Sequence, residues 1–159
     1  MSATATVVNT AVLETLVGLR VCIFAVGAEP FAFDLRRVRE VVVLDELTSV
    51  PAAPPQIVGV ANLRGDVLPI VDPGRLLGAV VRRTGRRRRA LVVTGGGAHV
   101  GLLIDDVLGL ETFDDVLEIG DTTDQPYVAC ALGRLRRSDG LVTLLDADKV
   151  MAALRRRED

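Results

Sequence analysis

The sequence predicts an all-β fold made of two small barrels packed on each other. Three observations lead there: an aliphatic composition, a high density of turn formers and a weak internal duplication. Hydrophobic residues make up 49% of the 159 residues and aromatics only 3%, so the core must be built from Val, Leu, Ile and Ala. Abundant Val together with 15 Gly and 7 Pro favours strands and turns over long helices. The length suits one ordinary domain or two very small ones.

The duplication appears when the two halves are laid over each other. Val26-Gly27 and residues 31–38 align without gaps to Gly95-Gly96 and residues 100–107. Each reads as a strand, a glycine turn, a second strand, a brief break and a third strand. Further on, VLPIVD at 67–72 matches LVTLLD at 141–146. In both, the next cation follows the Asp by three residues (Arg75, Lys149), and an apolar pair comes next (Leu76-Leu77, Val150-Met151). The shift between the halves grows from 69 to 74, which implies one small insertion. Any two β-rich segments look somewhat alike, but here order, turns and terminal Asp all agree. A repeat of about seventy residues with five short strands is the size of a small barrel, and two of them need each other for a core.

In chain order, residues 1–18 form a leader, loosely ordered or a short helix. A first barrel spans about 19–80, a basic linker 81–89, a second barrel about 90–145 and a C-terminal helix 146–157. Within the first barrel, Pro51-Ala52-Ala53-Pro54-Pro55 is a stiff connector. It leads into GVANLRGDVLPIVD at 59–72, two short strands hinged on Arg64-Gly65-Asp66, with Gly65 as a turn residue of positive φ. Asp72-Pro73 reads as a helix start, because Asp caps free amides and Pro suits the first helical position. Asp146 caps the last helix, and Arg155 to Arg157 suit its negative end.

Net charge is −2, which gives no overall attraction to nucleic acid or anionic membrane. The first residues lack the basic start and apolar core of a secretory signal, and no stretch is apolar enough to span a bilayer. Cys22 and Cys130 each sit in an apolar run, the usual place of buried thiols in a reducing compartment. The chain is expected to be cytoplasmic. Catalysis finds little material: His99 is the single histidine, and Ser2, Ser49 and Ser138 lie in no nucleophile-elbow context. The count of His and Cys excludes metal sites of that kind, and the acidic residues 105–124 lack calcium-loop spacing. No enzyme, cofactor or metal is expected.

Two features remain as candidate sites. Glu40 shares a strand face with Val38 and Val42, where a carboxylate either reaches water at a sheet edge or needs a cation. Arg64 at the hairpin turn is the natural candidate, since its planar fork binds a carboxylate through two hydrogen bonds; two unrelated solvated charges are the alternative. The run Arg82 to Arg89 could grip phosphates, which leaves a nucleic-acid or anion-binding barrel as the alternative function. It lacks interleaved aromatics, and a solvated interdomain loop explains it better.

Four segments, FAFDLRRVRE at 31–40, PAAPPQIVGVANLRG at 51–65, LPIVD at 68–72 and VGLLIDDVLGL at 100–110, occur in an order that resembles the CheW-type chemotaxis coupling proteins. The resemblance covers about Leu19 to Leu154 as one CheW-like domain. It implies two packed five-stranded SH3-like barrels. It also implies a non-catalytic adaptor that links chemoreceptors to the histidine kinase CheA, for chemotaxis or a related motility or regulatory pathway. The implied partners are the receptor's cytoplasmic signalling tip, the kinase's regulatory domain and other CheW-like domains in array rings at the inner face of the cell membrane, with no nucleic acid and no membrane insertion. The implied receptor- or kinase-binding residues are Val38, Glu40, Gly59, Val60, Asn62 and Arg64, with Glu40 and Arg64 paired. Pro73-Gly74 departs from the family's usual Leu-Arg, and the segment Glu118 to Pro126 is shorter and more acidic than the pattern.

Overall fold

A computed structural model describes residues 18–83, 87–120 and 124–156. The leader (apart from Gly18), the middle of the basic linker and Arg157 lie outside the described residues. The first half supplies β1 (Leu19–Val26), β2 (Glu29–Asp34), β3 (Val38–Leu44), β4 (Ile57–Leu63) and β5 (Asp66–Val71). The second supplies β6 (Arg88–Gly95), β7 (Ala98–Ile104), β8 (Asp106–Phe113), β9 (Ala131–Arg137) and β10 (Gly140–Leu145). Helix α1 is Gly74–Leu77, and α2 is Ala147–Arg156. The duplication holds strand by strand: a shift of 69 carries β1, β2 and β3 onto β6, β7 and β8, and a shift of 74 carries β4 and β5 onto β9 and β10.

The strands form two five-stranded sheets. Sheet I has the order β8-β1-β2-β10-β9, and sheet II has the order β3-β6-β7-β5-β4. The expected division into one barrel from 19–80 and one from 90–145 is therefore corrected: each half places two strands in one sheet and three in the other. The cause lies in the β1–β2 and β6–β7 hairpins, which are apolar on both faces. Along β1, Val21 and Ile23 enter the interior of barrel I, while Cys22, Phe24 and Val26 face the other way. Along β6, Ala90 and Val92 enter barrel II, while Leu91 and Val93 face out of it. Such hairpins need cover on both sides, and the outward faces cover each other. Phe24, Phe31 and Phe33 meet Leu91, Leu102 and Ile104 in a shared core between the sheets. The Phe24 and Phe33 rings stack with centroids 5.5 Å apart. Cys22 and Cys130 are buried as thiols in this shared core.

Each sheet closes into a barrel through one short bridge. In sheet II, Thr48 exchanges two backbone hydrogen bonds with Val60, 3.0 and 2.9 Å. In sheet I, Leu117 does the same with Arg134, 2.7 and 2.8 Å. The same shifts of 69 and 74 relate these residues, so the small insertion falls between Leu117 and β9.

The helices anchor the assembly. The α2 cap is as expected: the Asp146 carboxylate accepts the Asp148 and Lys149 amides at 2.9 and 3.2 Å. Its amphipathic face adds Val150, Met151 and Leu154 to the shared core. Helix α1 starts one residue later than the sequence suggests. Pro73 is its cap rather than its first residue, and Asp72 accepts the Gly74 amide at 2.8 Å. Among the described residues, no helix is long and apolar enough to cross a membrane, and no group of His, Cys, Asp and Glu is arranged to hold a metal.

Candidate functional site

Strand β3 carries the first half of the site. Its burial alternates, with Val38, Glu40 and Val42 half-buried and Arg39, Val41 and Val43 exposed. Glu40 is thus turned toward the mouth of barrel II, where a carboxylate among valines needs a cation. Arg64 supplies it from the β4–β5 turn. That turn is closed by two residues of positive φ, Arg64 at 52° and Gly65 at 89°, the pattern whose twist matches a two-residue hairpin. Asn62 holds the turn by accepting the Gly65 amide at 2.9 Å.

From that turn the guanidinium reaches back across the barrel. Arg64 Nη1 donates to Glu40 Oε2 and Nη2 to Oε1, both at 2.6 Å. This is the two-pronged pairing that the residue types left open beside two solvated charges and that the family resemblance implied. The hydrogen bonds from Arg64 hold the Glu40 carboxyl below its usual range; partial desolvation opposes them, and the Arg64 and Arg39 charges reinforce them. Glu40 in turn raises the Arg64 guanidinium. The brace stays open to solvent, with the Arg64 side chain 71% exposed. An exposed pair of this kind stabilises a fold little.

Two clefts adjoin the brace. One, of about 530 Å³, is bounded by Arg39, Glu40, Arg64, Asp66, Val67 and His99. The other, of about 410 Å³, is bounded by Val42, Leu44, Thr48, Val60 and Asn62. Leu63 and Leu68 line both. The structure thus brings Glu40 and Arg64 together and places Val60 and Asn62 beside them. Gly59 is buried, because a Cβ there would stand 2.8 Å from the Thr48 carbonyl oxygen that closes the barrel. Val38 packs against the shared core and lines neither cleft. Three participants escaped the sequence reading: Val67, 69% exposed, and the Arg39–His99 contact across β6. A lone histidine after a glycine turn was their only signal.

The duplicated barrel serves as an internal control. The positions equivalent to Arg39, Glu40, Arg64 and His99 are Leu108, Gly109, Ser138 and Pro30, none of them charged. Sheet I ties the same two elements through Glu111 and Arg137 at 2.8 Å, at positions where sheet II carries Val42 and Leu63. Its Arg137 is 21% exposed against 71% for Arg64, so the guanidinium of the sheet II brace is the one presented at the surface. Among the described residues, the basic run is tied to the protein at Arg82, Arg83 and Arg89. The Asp105 carboxylate accepts the Arg82 and Arg83 amides at 2.8 and 2.5 Å, and Arg89 pairs with Asp106 at 2.5 Å. That anchoring fits a linker.

Comparison with known proteins agrees with this architecture. The CheW-like domain family matches residues 20–155. The chain is 26% identical to a chemotaxis protein CheW of Thermotoga maritima over 146 residues, covering 91% of this chain and 95% of that one. It is 36% identical to a chemotaxis protein CheW of Rhizobium meliloti over 109 residues, 69% of this chain and 66% of the relative. The crystal structure of the scaffolding protein TtCheW from Thermoanaerobacter tengcongensis superposes with a TM-score of 0.74 at 24% identity, covering 84% of this chain and 92% of that one.

Proposed function

The chain belongs to the CheW-like family of non-catalytic scaffold proteins in chemotaxis and related motility signalling, and on that premise we propose that it couples methyl-accepting chemoreceptors to the histidine kinase CheA. The observation that carries this reading is the Glu40–Arg64 brace. It is solvent-facing, adds little to the fold and has no equivalent at the same place on the duplicated barrel. Charges held at the surface in a fixed two-pronged geometry, at a place where the duplicated barrel carries none, suit recognition of another protein.

In this reading the receptor's cytoplasmic signalling tip docks over the brace and the clefts beside it. Glu40, Val60, Asn62 and Arg64 contact it, Gly59 keeps the barrel closed beneath it, and Val38 supports β3 from the core. Exposed aliphatic side chains on the other barrel, Leu108, Leu110, Leu132 and Leu141, suit the kinase's regulatory domain or another CheW-like domain in a ring. The protein works in the cytoplasm at arrays on the inner face of the cell membrane and carries out no chemistry. Receptor conformation biases kinase activity because both partners are held on one rigid body. The test is a binding assay against the purified receptor tip and the kinase regulatory domain. Binding of both at tens of micromolar or tighter is expected, and binding of neither overturns the proposal.

A further inference from the structure

Arg39 is the least explained charge at the site. Its side chain is exposed on the outward face of β3, and its guanidinium Nη1 lies 3.5 Å from Nε2 of His99 on β7. Among the described residues it has no carboxylate within ion-pair distance, although a guanidinium offers five N–H donors. Glu40 is taken by Arg64 through both oxygens. Asp66 lines the same cleft and forms no ion pair among the described residues, so it leaves the Arg39 donors open. Beside them stands Val67, 69% exposed. The equivalents of Arg39 and His99 on the duplicated barrel are Leu108 and Pro30, so the fold itself does not require this pair.

We propose that Arg39 and His99 form a clamp for a carboxylate side chain of the docked receptor tip, one flanked by an aliphatic residue that packs on Val67. The inference rests on the adaptor reading and deepens it, by naming the chemistry that selects the receptor. A carboxylate seated between the Arg39 guanidinium and the His99 imidazole accepts N–H donors from Arg39, and from His99 once it displaces the contact in which Nε2 accepts from Arg39. Asp66, unpaired among the described residues, lines the same cleft and repels it. Glu40 and Arg64 form the fixed wall beside it.

The sign of each charge effect tests the clamp. Binding of the purified receptor signalling tip is measured by calorimetry for the wild type, Arg39→Gln, His99→Gln and Asp66→Asn, with the kinase regulatory domain as a second titrant. Arg39→Gln and His99→Gln are expected to weaken receptor binding by about three- to tenfold each, with the double variant losing less than the product of the two. Asp66→Asn is expected to tighten it by about twofold, and kinase binding is expected to stay unchanged throughout. Wild-type receptor affinity in all three variants, or weaker binding by Asp66→Asn, overturns the clamp alone. Failure of the wild type to bind either partner overturns the adaptor reading and the clamp with it.

Discussion

Gly59 lies directly beneath the carbonyl oxygen of Thr48, so close that a Cβ on Gly59 would stand 2.8 Å from it. That oxygen accepts the Val60 amide at 2.9 Å in the bridge that closes sheet II. The duplicated barrel repeats the arrangement, with a Cβ on Gly133 meeting the Leu117 carbonyl oxygen at 2.5 Å. Both glycines are thus requirements of barrel closure. Gly59→Ala is expected to destabilise the protein by roughly 1–3 kcal/mol through this overpacking, and to weaken partner binding only as a consequence. A thermal melt checks it; a variant with the wild-type midpoint and impaired binding would make Gly59 a contact residue instead.

The Glu40–Arg64 brace behaves in the opposite way. Arg64→Glu is expected to abolish receptor-dependent coupling while the melting midpoint stays close to wild type, because the pair is exposed. The double swap with Glu40→Arg restores the two-pronged pair in reverse and should recover part of the coupling. Circular dichroism paired with a coupling assay separates the outcomes, and absence of any rescue would show that Arg64 acts without Glu40.

The brace also has a defined pH range. Hydrogen bonds from Arg64 depress the folded-state pKa of Glu40, so the contribution of the pair is fully present above the unfolded value and is lost as pH falls through the folded one. An ordinary Glu titrates near about 4.3, so the brace stays intact from about pH 5 upward and opens only in stronger acid. A carboxyl carbon NMR titration should place the Glu40 midpoint below that of a free Glu, and Arg64→Met should bring it back. A wild-type midpoint at or above the ordinary value contradicts the pairing.

Asp105 ties the linker to the rest of the molecule. Its carboxylate accepts the amides of Gly27, Arg82 and Arg83, and its own carbonyl accepts Arg83 Nε at 2.9 Å. Asp105→Ala removes the acceptor from three amides and is expected to cost roughly 2 kcal/mol or more. The melt should fall, and hydrogen exchange at Arg82 and Arg83 should quicken. Unchanged exchange there would mean that the linker is held by other contacts.

Much of this was legible in the residues, for physical reasons that also explain what was not. Turn chemistry and strand alternation are local, so the hairpin at Arg64-Gly65, the cap at Asp146 and the shifts of 69 and 74 could be read directly. Strand partners are not local. Alternation says which side of β1 faces a core, but both of its faces are apolar, and nothing in Val21 to Val26 names β8 as its neighbour. The exchange of hairpins between the halves, with parallel pairing of β2 to β10 and β5 to β7, therefore emerged only in three dimensions. The same limit hid the Arg39–His99 contact, whose residues come from different halves and meet across β6. Glu40 and Arg64 were only partly within reach: a carboxylate among valines calls for a cation or for water, the residues alone left both open, and the family resemblance implied the pair.

In the proposed function one inert body holds receptor and kinase together, so the decisive measurement is kinase output with all three components present. Autophosphorylation of purified CheA is followed with membranes carrying the receptor, with and without this protein. Receptor control of the kinase is expected to require the wild-type chain and to be lost with Arg64→Glu, while the kinase alone is unaffected by either. Receptor control that persists without the chain, or that survives Arg64→Glu intact, would contradict it.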